Sequence, residues 1–344
     1  MDVNILDSRP SHSRSLTVQL HVNARGSAIR QGRSCKNLAV KRELNPPIRH
    51  LICVTSDTGE QRIMASQIRT IVIPAAGQGT RLLPSTKVTP KELMNVYDRP
   101  VLQFAIDEAA SAGAERVVMI IHPTKETIRD YLARDQSYIQ DLEARGKHEL
   151  GRTLAELSPP KRMEIVFAYQ HEALGLGHAI SCAADFVLPG PVAIILPDDV
   201  IFGAGCIGEM ARHYTSGHMV AAMEVAPEDT SSYGIFRLAG PSVGRTIAVS
   251  GMVEKPALGQ APSRLAAVGR YILDPVIIPT LLKTRRGAGG EIQLTDAIAH
   301  DSASVPLSAF RFSGTRYDCG THDGLLEAAN ARQSMVKAAR RVVA

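Results

Sequence analysis

The stretch Ile71–Leu93, IVIPAAGQGTRLLPSTKVTPKEL, joins a buried apolar run, a glycine turn and a group of cations. The apolar run ends at Pro74, which has no N–H to donate to a neighbouring strand, so the sequence predicts that a strand stops there. Gly77 and Gly79 then free the backbone to curl. Three cations follow closely: Arg81, Lys87 and Lys91. The question is which anion this loop binds.

Short apolar segments alternate with helical ones on the carboxyl side of this stretch, which predicts a Rossmann-like α/β fold with a mixed, mostly parallel sheet flanked by helices. The predicted strands are 68–74, 116–121, 163–168, 192–197 and 218–225. A helix is expected over 100–113, with Pro100 in its first turn and Gly113 at its end. Residues 124–157 are predicted to form one or two polar helices.

The pattern becomes β-rich after Val225. The further predicted elements are strands over 233–238, 246–256 and 266–273 and helices over 293–301 and 323–342. We therefore expect a single domain over 64–344 with three parts: a first part at about 66–225, a β-rich part at about 226–320 and a C-terminal helix at about 322–342.

The chain has 344 residues, 44% of them hydrophobic and 21% charged, as in an ordinary globular protein. Aromatic residues make up 4% and tryptophan is missing, which argues against a base-stacking surface for nucleic acid. No apolar run approaches the roughly 20 residues of a membrane span. The five cysteines lack CxxC or metal-ligand spacing, so we expect free thiols in a reducing cytoplasm.

The net charge of +5 belongs to the first segment of the chain. Residues 1–63 hold ten Lys and Arg against five Asp and Glu, and the remainder holds 29 of each. The basic balance therefore says little about nucleic acid as a partner. Residues 1–63 lack apolar mass and periodicity, so we interpret them as a disordered leader, or as sequence upstream of a natural start at Met64. If the leader did bind nucleic acid, its deletion would abolish that binding.

The glycine turn lies at the carboxyl end of a strand, where open α/β sheets bind ligands. Backbone N–H groups in such a turn approach anionic oxygens closely, so phosphate suits this loop, although most glycine turns only reverse the chain. The third glycine of the dinucleotide fingerprint and the G-K-[ST] of the P-loop are both missing. Arg81 could fork onto a polyphosphate, while Lys91 could equally be a solvated surface charge.

Two further positions carry candidate polar groups at strand ends. Asp198 and Asp199 end the apolar run 192–197, where they could form a turn or bind Mg²⁺ beside a polyphosphate. Gln170 follows the run 163–168, where it could be exposed polar filler or read the imide edge of uracil, since an amide both donates and accepts.

The opening stretch resembles the signature of the sugar-1-phosphate nucleotidylyltransferases, G-x-G-T-R followed by P-x-T and, after a spacer, P-K-E. Seven further blocks match in order: QHEALGLGHAI at 170–180, ILPDDV at 195–200, SSYGIF at 231–236, VEKP at 253–256, VGRYIL at 268–273, GEIQLTDAI at 290–298 and YDCG at 317–320. The resemblance covers 68–335 and none of 1–63. The long segment 124–157 suits the glucose-specific uridylyl branch better than the thymidylyl branch.

The resemblance implies the nucleotidyltransferase fold, in which the part at about 66–225 is nucleotide-binding and the part at about 226–320 is sugar-binding, and a role for each matching residue. It implies catalytic cations at Arg81, Lys91 and Lys255, and nucleotide binding by Ala76, Gly77, Gly79, Thr80, Gln170 and Gly175. It further implies sugar-phosphate binding by Gly234, Glu254, Lys255 and Val268, and metal binding by Asp198 and Asp318. His178 is expected to be structural, because nothing in such a reaction needs a base near pH 7.

The implied reaction is transfer of a uridylyl group from UTP to α-D-glucose 1-phosphate, with Mg²⁺ as cofactor and pyrophosphate as the second product. The family also implies a cytoplasmic homo-oligomer, a dimer or tetramer, without nucleic acid or membrane as a partner. Two alternatives stay open. The base could be thymine or cytosine with another hexose phosphate, or the chain could be a non-catalytic relative that binds nucleotide and regulates a partner.

Overall fold

The computed structural model describes residues 68–133 and 135–343, together with four short strands among residues 2–29. The chain divides into two compact units, Met1–Glu60 and Gln61–Ala344. In the first unit two antiparallel pairs are described: Asp2–Asn4 with Thr17–Gln19, and His21–Val22 with Ala28–Ile29. The expectation of a disordered leader over 1–63 falls mostly outside the described residues and stays a prediction.

The second unit alternates strands and helices. Its strands, numbered along the chain, are β1 Thr70–Pro74, β2 Asn95–Val96, β3 Arg99–Pro100, β4 Arg116–Ile121, β5 Glu164–Tyr169, β6 Val192–Ile195, β7 Asp199–Phe202, β8 His218–Glu224, β9 Gly234–Leu238, β10 Thr246–Glu254, β11 Leu265–Leu273, β12 Leu307–Arg311 and β13 Thr315–Asp318. Its α-helices are α1 Val101–Ser111, α2 Glu126–Leu132, α3 Gln136–Ala144, α4 His148–Leu157, α5 Leu176–Ser181, α6 Cys206–His213, α7 Ile277–Lys283, α8 Leu294–Asp301 and α9 His322–Val343.

Nine strands form the central sheet, in the order β8-β12-β10-β9-β11-β6-β1-β4-β5, and β8 also pairs with β11. Strands β6, β1, β4 and β5 are parallel to one another. On the other side of β6 the pairings are antiparallel, except that β8 and β12 are parallel. The predicted mixed α/β fold with a β-rich second part is therefore confirmed.

The strand predicted at 218–225 does not extend the parallel series of β6, β1, β4 and β5. As β8 it pairs antiparallel with β11 and parallel with β12, both of which come later in the chain. Hydrophobic periodicity shows that a segment is a strand but not which distant segment pairs with it. The parallel series is thus confined to four strands.

Helices cover both faces of the parallel strands. In β1, Ile71 and Ile73 pack into one apolar cluster with residues of α1 and α6, and Val72 packs into another with residues of α5, α7 and α8. All three side chains are fully buried. Burial on both faces explains why these strands read as continuous apolar runs rather than alternating ones.

The polar segment 124–157 contains three helices instead of the one or two predicted. The Asp135 carboxylate caps α3 by accepting a hydrogen bond from the Tyr138 N–H at 2.9 Å. Gly146, with a φ of +72°, then turns the chain between α3 and α4. The cap at Asp135 and the glycine at 146 therefore mark the two ends of α3. The overall polar composition of the segment does not show these boundaries.

The C-terminal helix α9 runs from His322 to Val343, close to the predicted 323–342. Ala328 is fully buried against Val96 and Phe202, while Leu326 and Met335 are exposed. Among the described residues, no helix is both long and apolar enough to cross a membrane.

Candidate active site

The glycine turn begins where β1 ends. The Ala75 N–H donates to the carbonyl of Ile120 at 2.7 Å, and the chain then leaves the sheet. Gly79 has a φ of +68°, and a Cβ at this residue would lie 3.3 Å from Lys91 Cβ. A Cβ at Gly77 would meet nothing within 4 Å. Gly79 therefore allows the loop to fold onto Lys91, whereas Gly77 faces open space that a ligand can occupy.

A buried ion pair lies beneath this loop. Lys125 Nζ donates to the carbonyls of Ala75 at 2.8 Å and Gly77 at 2.6 Å, and to Glu92 Oε2 at 2.9 Å. Burial raises the pKa of Glu92 and lowers that of Lys125, and in each case the partner's charge opposes the effect of burial. Lys125 thus ties the glycine turn to the turn that carries Lys91. Its role is not evident from the sequence, because a lysine just after β4 resembles a surface residue.

Lys91 reaches one of the two predicted metal ligands. Its Nζ lies 2.5 Å from Asp198 Oδ2, and both side chains are about one-fifth exposed. Burial lowers the pKa of Lys91, but the charges of Asp198 and Glu92 raise it by more, so its net shift is upward. Burial likewise raises the pKa of Asp198, but Lys91 lowers it by more. Both groups therefore stay charged around neutral pH, in contact with each other.

Asp198 and Asp318 come from distant parts of the chain to the same place. Strands β7 and β13 form an antiparallel ribbon in which Asp199 is opposite Asp318. The Cys319 N–H donates to the Asp198 carbonyl at 2.8 Å, which joins the two segments one step further along. Arg81 Nη1 lies 3.4 Å from Asp318 Oδ2. The structure thus brings together two carboxylates and two cations that the sequence analysis selected: Asp198, Asp318, Lys91 and Arg81.

Asp199, which the sequence offered with Asp198 as a turn or Mg²⁺ residue, makes structural contacts that the sequence did not reveal. It is buried; its Oδ2 accepts from the Gly269 N–H at 2.7 Å, and its Oδ1 accepts from Arg316 Nε at 2.8 Å. Burial raises the pKa of Asp199, and Arg316 opposes that shift. Arg316 Nη1 also donates to the Tyr233 hydroxyl at 3.1 Å. Asp199 therefore links the strand that carries Val268 and Gly269 to the carboxylate edge.

Gln170 lies at the edge of a cleft of about 350 Å³ beside the glycine turn. Ala76, Gln78, Lys125 and His171 also line the cleft. The Gln170 backbone N–H continues the β4–β5 ladder with a bond to the Ile121 carbonyl at 3.0 Å, and the residue is 6% exposed. Gln170 is therefore not exposed polar filler, and its contact with a base stays a prediction.

Gly175 and Gly177 dock onto the block GEIQLTDAI. The Gly177 N–H donates to the Ile292 carbonyl at 2.9 Å, and the Ile292 N–H donates to the Leu174 carbonyl at 2.7 Å. A Cβ at Gly175 would lie 2.8 Å from Glu291 Cβ. The absence of side chains at Gly175 and Gly177 therefore allows this turn and the 290–298 segment to approach each other. The approach of a base to Gly175 stays a prediction.

The residues predicted to bind the sugar phosphate lie on neighbouring strands. Gly234 is opposite Glu254 in the pairing of β9 with β10. Lys255 follows with a φ of +42°, and its Nζ lies 3.9 Å from Glu254 Oε1. Burial raises the pKa of Glu254, against the effect of Lys255. Val268 is buried one residue before Gly269. The structure therefore groups Gly234, Glu254 and Lys255, and connects Val268 to the carboxylate edge through Asp199.

The carboxylate edge fits a divalent cation. Asp198, just before β7, and Asp318, at the end of β13, offer oxygen ligands from adjacent segments, and Mg²⁺ usually needs only one or two carboxylates together with substrate phosphates and water. Among the described residues, no group of three or more His, Cys, Asp and Glu could hold a metal. A cation that relies on the substrate for its other ligands suits this pair better than a fully enclosed structural metal does.

The fold and this site define a nucleotide-transferring enzyme. A model of the nucleotidyl transferase family matches residues 70–334, so the chain belongs to that family. Members of the family generally use a divalent metal.

Individual relatives narrow the comparison. The chain is 40% identical over 263 residues to a UTP–glucose-1-phosphate uridylyltransferase of Komagataeibacter xylinus, covering 75% of this chain and 91% of that one. It is similar to a UDP-glucose pyrophosphorylase solved with UDP-glucose, at 36% identity and a TM-score of 0.68, covering 78% and 99% of the two chains. It is also similar to a UTP-bound UGPase from Acinetobacter baumannii, at 35% identity and a TM-score of 0.71, covering 77% and 93%.

Proposed function

We propose that this chain transfers a uridylyl group from UTP to α-D-glucose 1-phosphate and releases UDP-glucose and pyrophosphate. The observation that carries the proposal is the meeting of Lys91, Arg81, Asp198 and Asp318 at the glycine turn, next to the cleft that Gln170 lines. Relatives at 35–40% identity carry names or bound ligands of this same reaction.

The reaction is an in-line displacement. A phosphate oxygen of glucose 1-phosphate forms a bond to the α-phosphorus of UTP, and the bond from that phosphorus to the bridging oxygen breaks, so that pyrophosphate leaves with the electron pair. The attacking phosphate is already ionised near neutral pH and needs no strong base. Catalysis then consists mainly of positioning and charge stabilisation.

The cations act on the charge that develops during this displacement. Lys91 exchanges its contact with Asp198 for the triphosphate, and Arg81 turns from Asp318 in the same way. Both then stabilise the negative charge that grows on the leaving pyrophosphate. Lys255, exposed beside Glu254, holds the phosphate of the sugar. The backbone of Ala76, Gly77, Gly79 and Thr80 encloses the triphosphate.

We assign the metal to Asp198 and Asp318 and propose Mg²⁺. When bound, it offsets negative charge on the α-phosphate of UTP and on the sugar phosphate. Lys91 keeps the Asp198 carboxylate ionised in its absence, because the pair lowers the pKa of Asp198.

Gln170 and Gly175 bind the base, and Gly234, Glu254 and Val268 bind the sugar. Glu254 accepts hydrogen bonds from sugar hydroxyls, while Gly234 and Val268 offer backbone groups. The assignment of the enzyme to the cytoplasm as a homo-oligomer belongs to this same proposal.

The test is pyrophosphate release by the purified protein with glucose 1-phosphate and Mg²⁺, offered UTP, dTTP, CTP or ATP separately. We expect release with UTP far above the others, lost on addition of EDTA and restored by excess Mg²⁺. Equal release from dTTP would favour a thymidylyl transferase. Tight UTP binding without any release would contradict transfer and favour a nucleotide-binding regulator.

A further inference from the structure

The side chain of Gln170 is fixed by two contacts on one end of its amide. Its Nε2 donates to the Gly175 carbonyl at 3.1 Å. The same nitrogen lies 3.0 Å from Nδ1 of His178. An amide nitrogen carries two hydrogens and accepts none, so these two contacts use both of its donors.

The contact between Gln170 Nε2 and His178 Nδ1 also determines the tautomer of the imidazole. Because the amide nitrogen can only donate, His178 Nδ1 accepts, and the imidazole carries its proton on Nε2. With both N–H groups engaged, the group that Gln170 has left to offer a ligand is Oε1, a pure acceptor. A ligand in the cleft must therefore bring an N–H to this point.

We propose that His178, together with the Gly175 carbonyl, sets base selection: by fixing the Gln170 amide the two acceptors make the cleft favour a base that places an imide N–H at Oε1, such as uracil, over cytosine in the same orientation. This inference rests on the proposed uridylyl transfer. Uracil has a hydrogen at N3 and so pairs with an acceptor. Cytosine has a bare lone pair at N3, which would face the Gln170 oxygen. His178 does not touch the base itself and acts as a positioning residue.

The backbone around His178 is rigid enough for this role. His178 lies in the first turn of α5, which is tied to the 290–298 segment by the Gly177–Ile292 hydrogen bond. A Cβ at Gly177 would lie 2.7 Å from the Ile292 carbonyl oxygen, so the absence of a side chain lets the helix pack closely against that segment. Packing within the protein therefore positions the imidazole beside Gln170 without bound nucleotide.

The test measures kcat/KM for UTP, CTP and dTTP with the wild type, His178→Leu and His178→Asn. Leucine fills the space without an acceptor, so the Gly175 carbonyl alone holds the amide, which can then turn more readily and offer its NH₂ to cytosine. We expect the preference for UTP over CTP to fall roughly tenfold or more, the scale of one hydrogen bond lost and another gained. The preference for UTP over dTTP should stay within twofold, because thymine presents the same imide edge.

His178→Asn is the matched control. Asn Oδ1 and His Nδ1 are both bonded to Cγ, so asparagine keeps an acceptor near the same place, and it should retain most of the preference against CTP. In a Gln170→Leu background, His178→Leu should change the UTP-to-CTP ratio by less than twofold, since the amide through which it acts is gone.

Equilibrium dissociation constants of UTP and CTP, measured on the same proteins, give the UTP-to-CTP preference independently of catalysis. An unchanged UTP-to-CTP ratio in His178→Leu, by kinetics and by binding, would overturn the inference. Loss of both bases to the same extent would also overturn it, because that result describes a structural residue. If the wild type binds UTP in preference to CTP but releases no pyrophosphate, the proposed transfer fails while base selection is still tested. Should His178→Leu not fold, His178→Ala takes its place with the same expected ratio.

Discussion

Lys91 contacts a carboxylate in the absence of substrate and, in our proposal, a polyphosphate in its presence. The Asp198 contact at 2.5 Å keeps Lys91 charged although the side chain is only 19% exposed. A lysine is suited to this exchange, because its ammonium is a compact point charge on a flexible stem.

Replacing Lys91 with alanine should lower kcat by about 10²–10³, the scale for one lost donor to transition-state charge. UTP binding should weaken less than kcat falls, since the charge grows during the reaction. Steady-state kinetics of Lys91→Ala measures both. Lys147→Ala, at an exposed lysine of a helix terminus, serves as control and should keep wild-type rates. Turnover of Lys91→Ala within threefold of wild type would refute the role.

His218 couples stability to pH. It is fully buried; its Nδ1 accepts from the Asp274 N–H at 3.2 Å, and its Nε2 lies 3.4 Å from Asp301 Oδ2. Burial lowers the pKa of His218, and the charges of Asp301 and Asp274 oppose this only in part. The unfolded chain, with a histidine pKa of about 6.5, therefore binds this proton more readily than the folded protein does.

The contribution of His218 to stability should be present above about pH 6.5 and be lost as the pH falls below it. We expect His218→Gln to reduce the pH dependence of the unfolding free energy between pH 7.5 and 5.5 by up to about 1.4 kcal/mol per pH unit. Urea unfolding at three pH values measures this. The exposed His148→Gln should leave the slope unchanged, and an equal slope in His218→Gln would contradict the expectation.

At the scale of elements, the glycine turn is held by a lysine outside it. Lys125 holds the Ala75 and Gly77 carbonyls and Glu92 at once, so it fixes the end of β1, the glycine turn and the Lys91 turn to one another. Glu92 is fully buried, and its Oε1 has no hydrogen-bond partner.

Lys125→Met should destabilise the fold by about 3–5 kcal/mol, because it leaves Glu92 buried without its partner charge. Adding Glu92→Gln should recover part of that loss, since the remaining group is neutral. Urea unfolding of both single variants and the double variant forms a mutant cycle. Purely additive losses would show that the two side chains do not act as a pair.

The docking of α5 onto the 290–298 segment makes a second prediction at this scale. Gly177→Ala introduces a Cβ 2.7 Å from the Ile292 carbonyl oxygen and 3.0 Å from Leu281 Cδ2. We expect a loss of about 1–3 kcal/mol in stability and a higher KM for UTP, because the overpacked helix carries His178 away from Gln170. Gly240→Ala, where a Cβ would meet nothing within 4 Å, is the matched control and should change neither quantity.

At the scale of the whole molecule, the site joins the parallel and antiparallel halves of one sheet. The glycine turn and Gln170 follow parallel strands, Glu254 and Val268 lie on antiparallel ones, and the β7–β13 ribbon brings Asp318 between them. All of these residues belong to the unit that begins at Gln61 and to the family match that begins at residue 70.

A variant that begins at Met64 should therefore keep kcat/KM for UTP within about threefold of the full chain. Pyrophosphate release and thermal unfolding of the two proteins test this. A loss of more than tenfold in kcat/KM, with an unchanged melting temperature, would show that residues 1–63 take part in activity.

Residue types at short spacing were enough to predict several features of this protein. Proline and glycine placed the end of β1 and the turn after it, and continuous apolar runs identified strands that are buried on both faces. The order of motifs indicated the family, and with it the residues that meet at the site. The structural roles of Lys125 and Asp199 were not evident from the sequence, because their partners lie 33 to 117 positions away along the chain.

The sequence by itself determined the parallel strands and the glycine turn, since these depend on residue types at short spacing, and its ordered motifs indicated the family and with it the class of reaction. Only the tertiary structure decided that β8 joins the antiparallel half, that Asp318 lies beside Asp198, and that His178 holds the amide of Gln170. Each of these depends on strand pairing or packing between distant segments. Such contacts are selected by the burial and hydrogen bonding of the whole fold, and no local pattern records them.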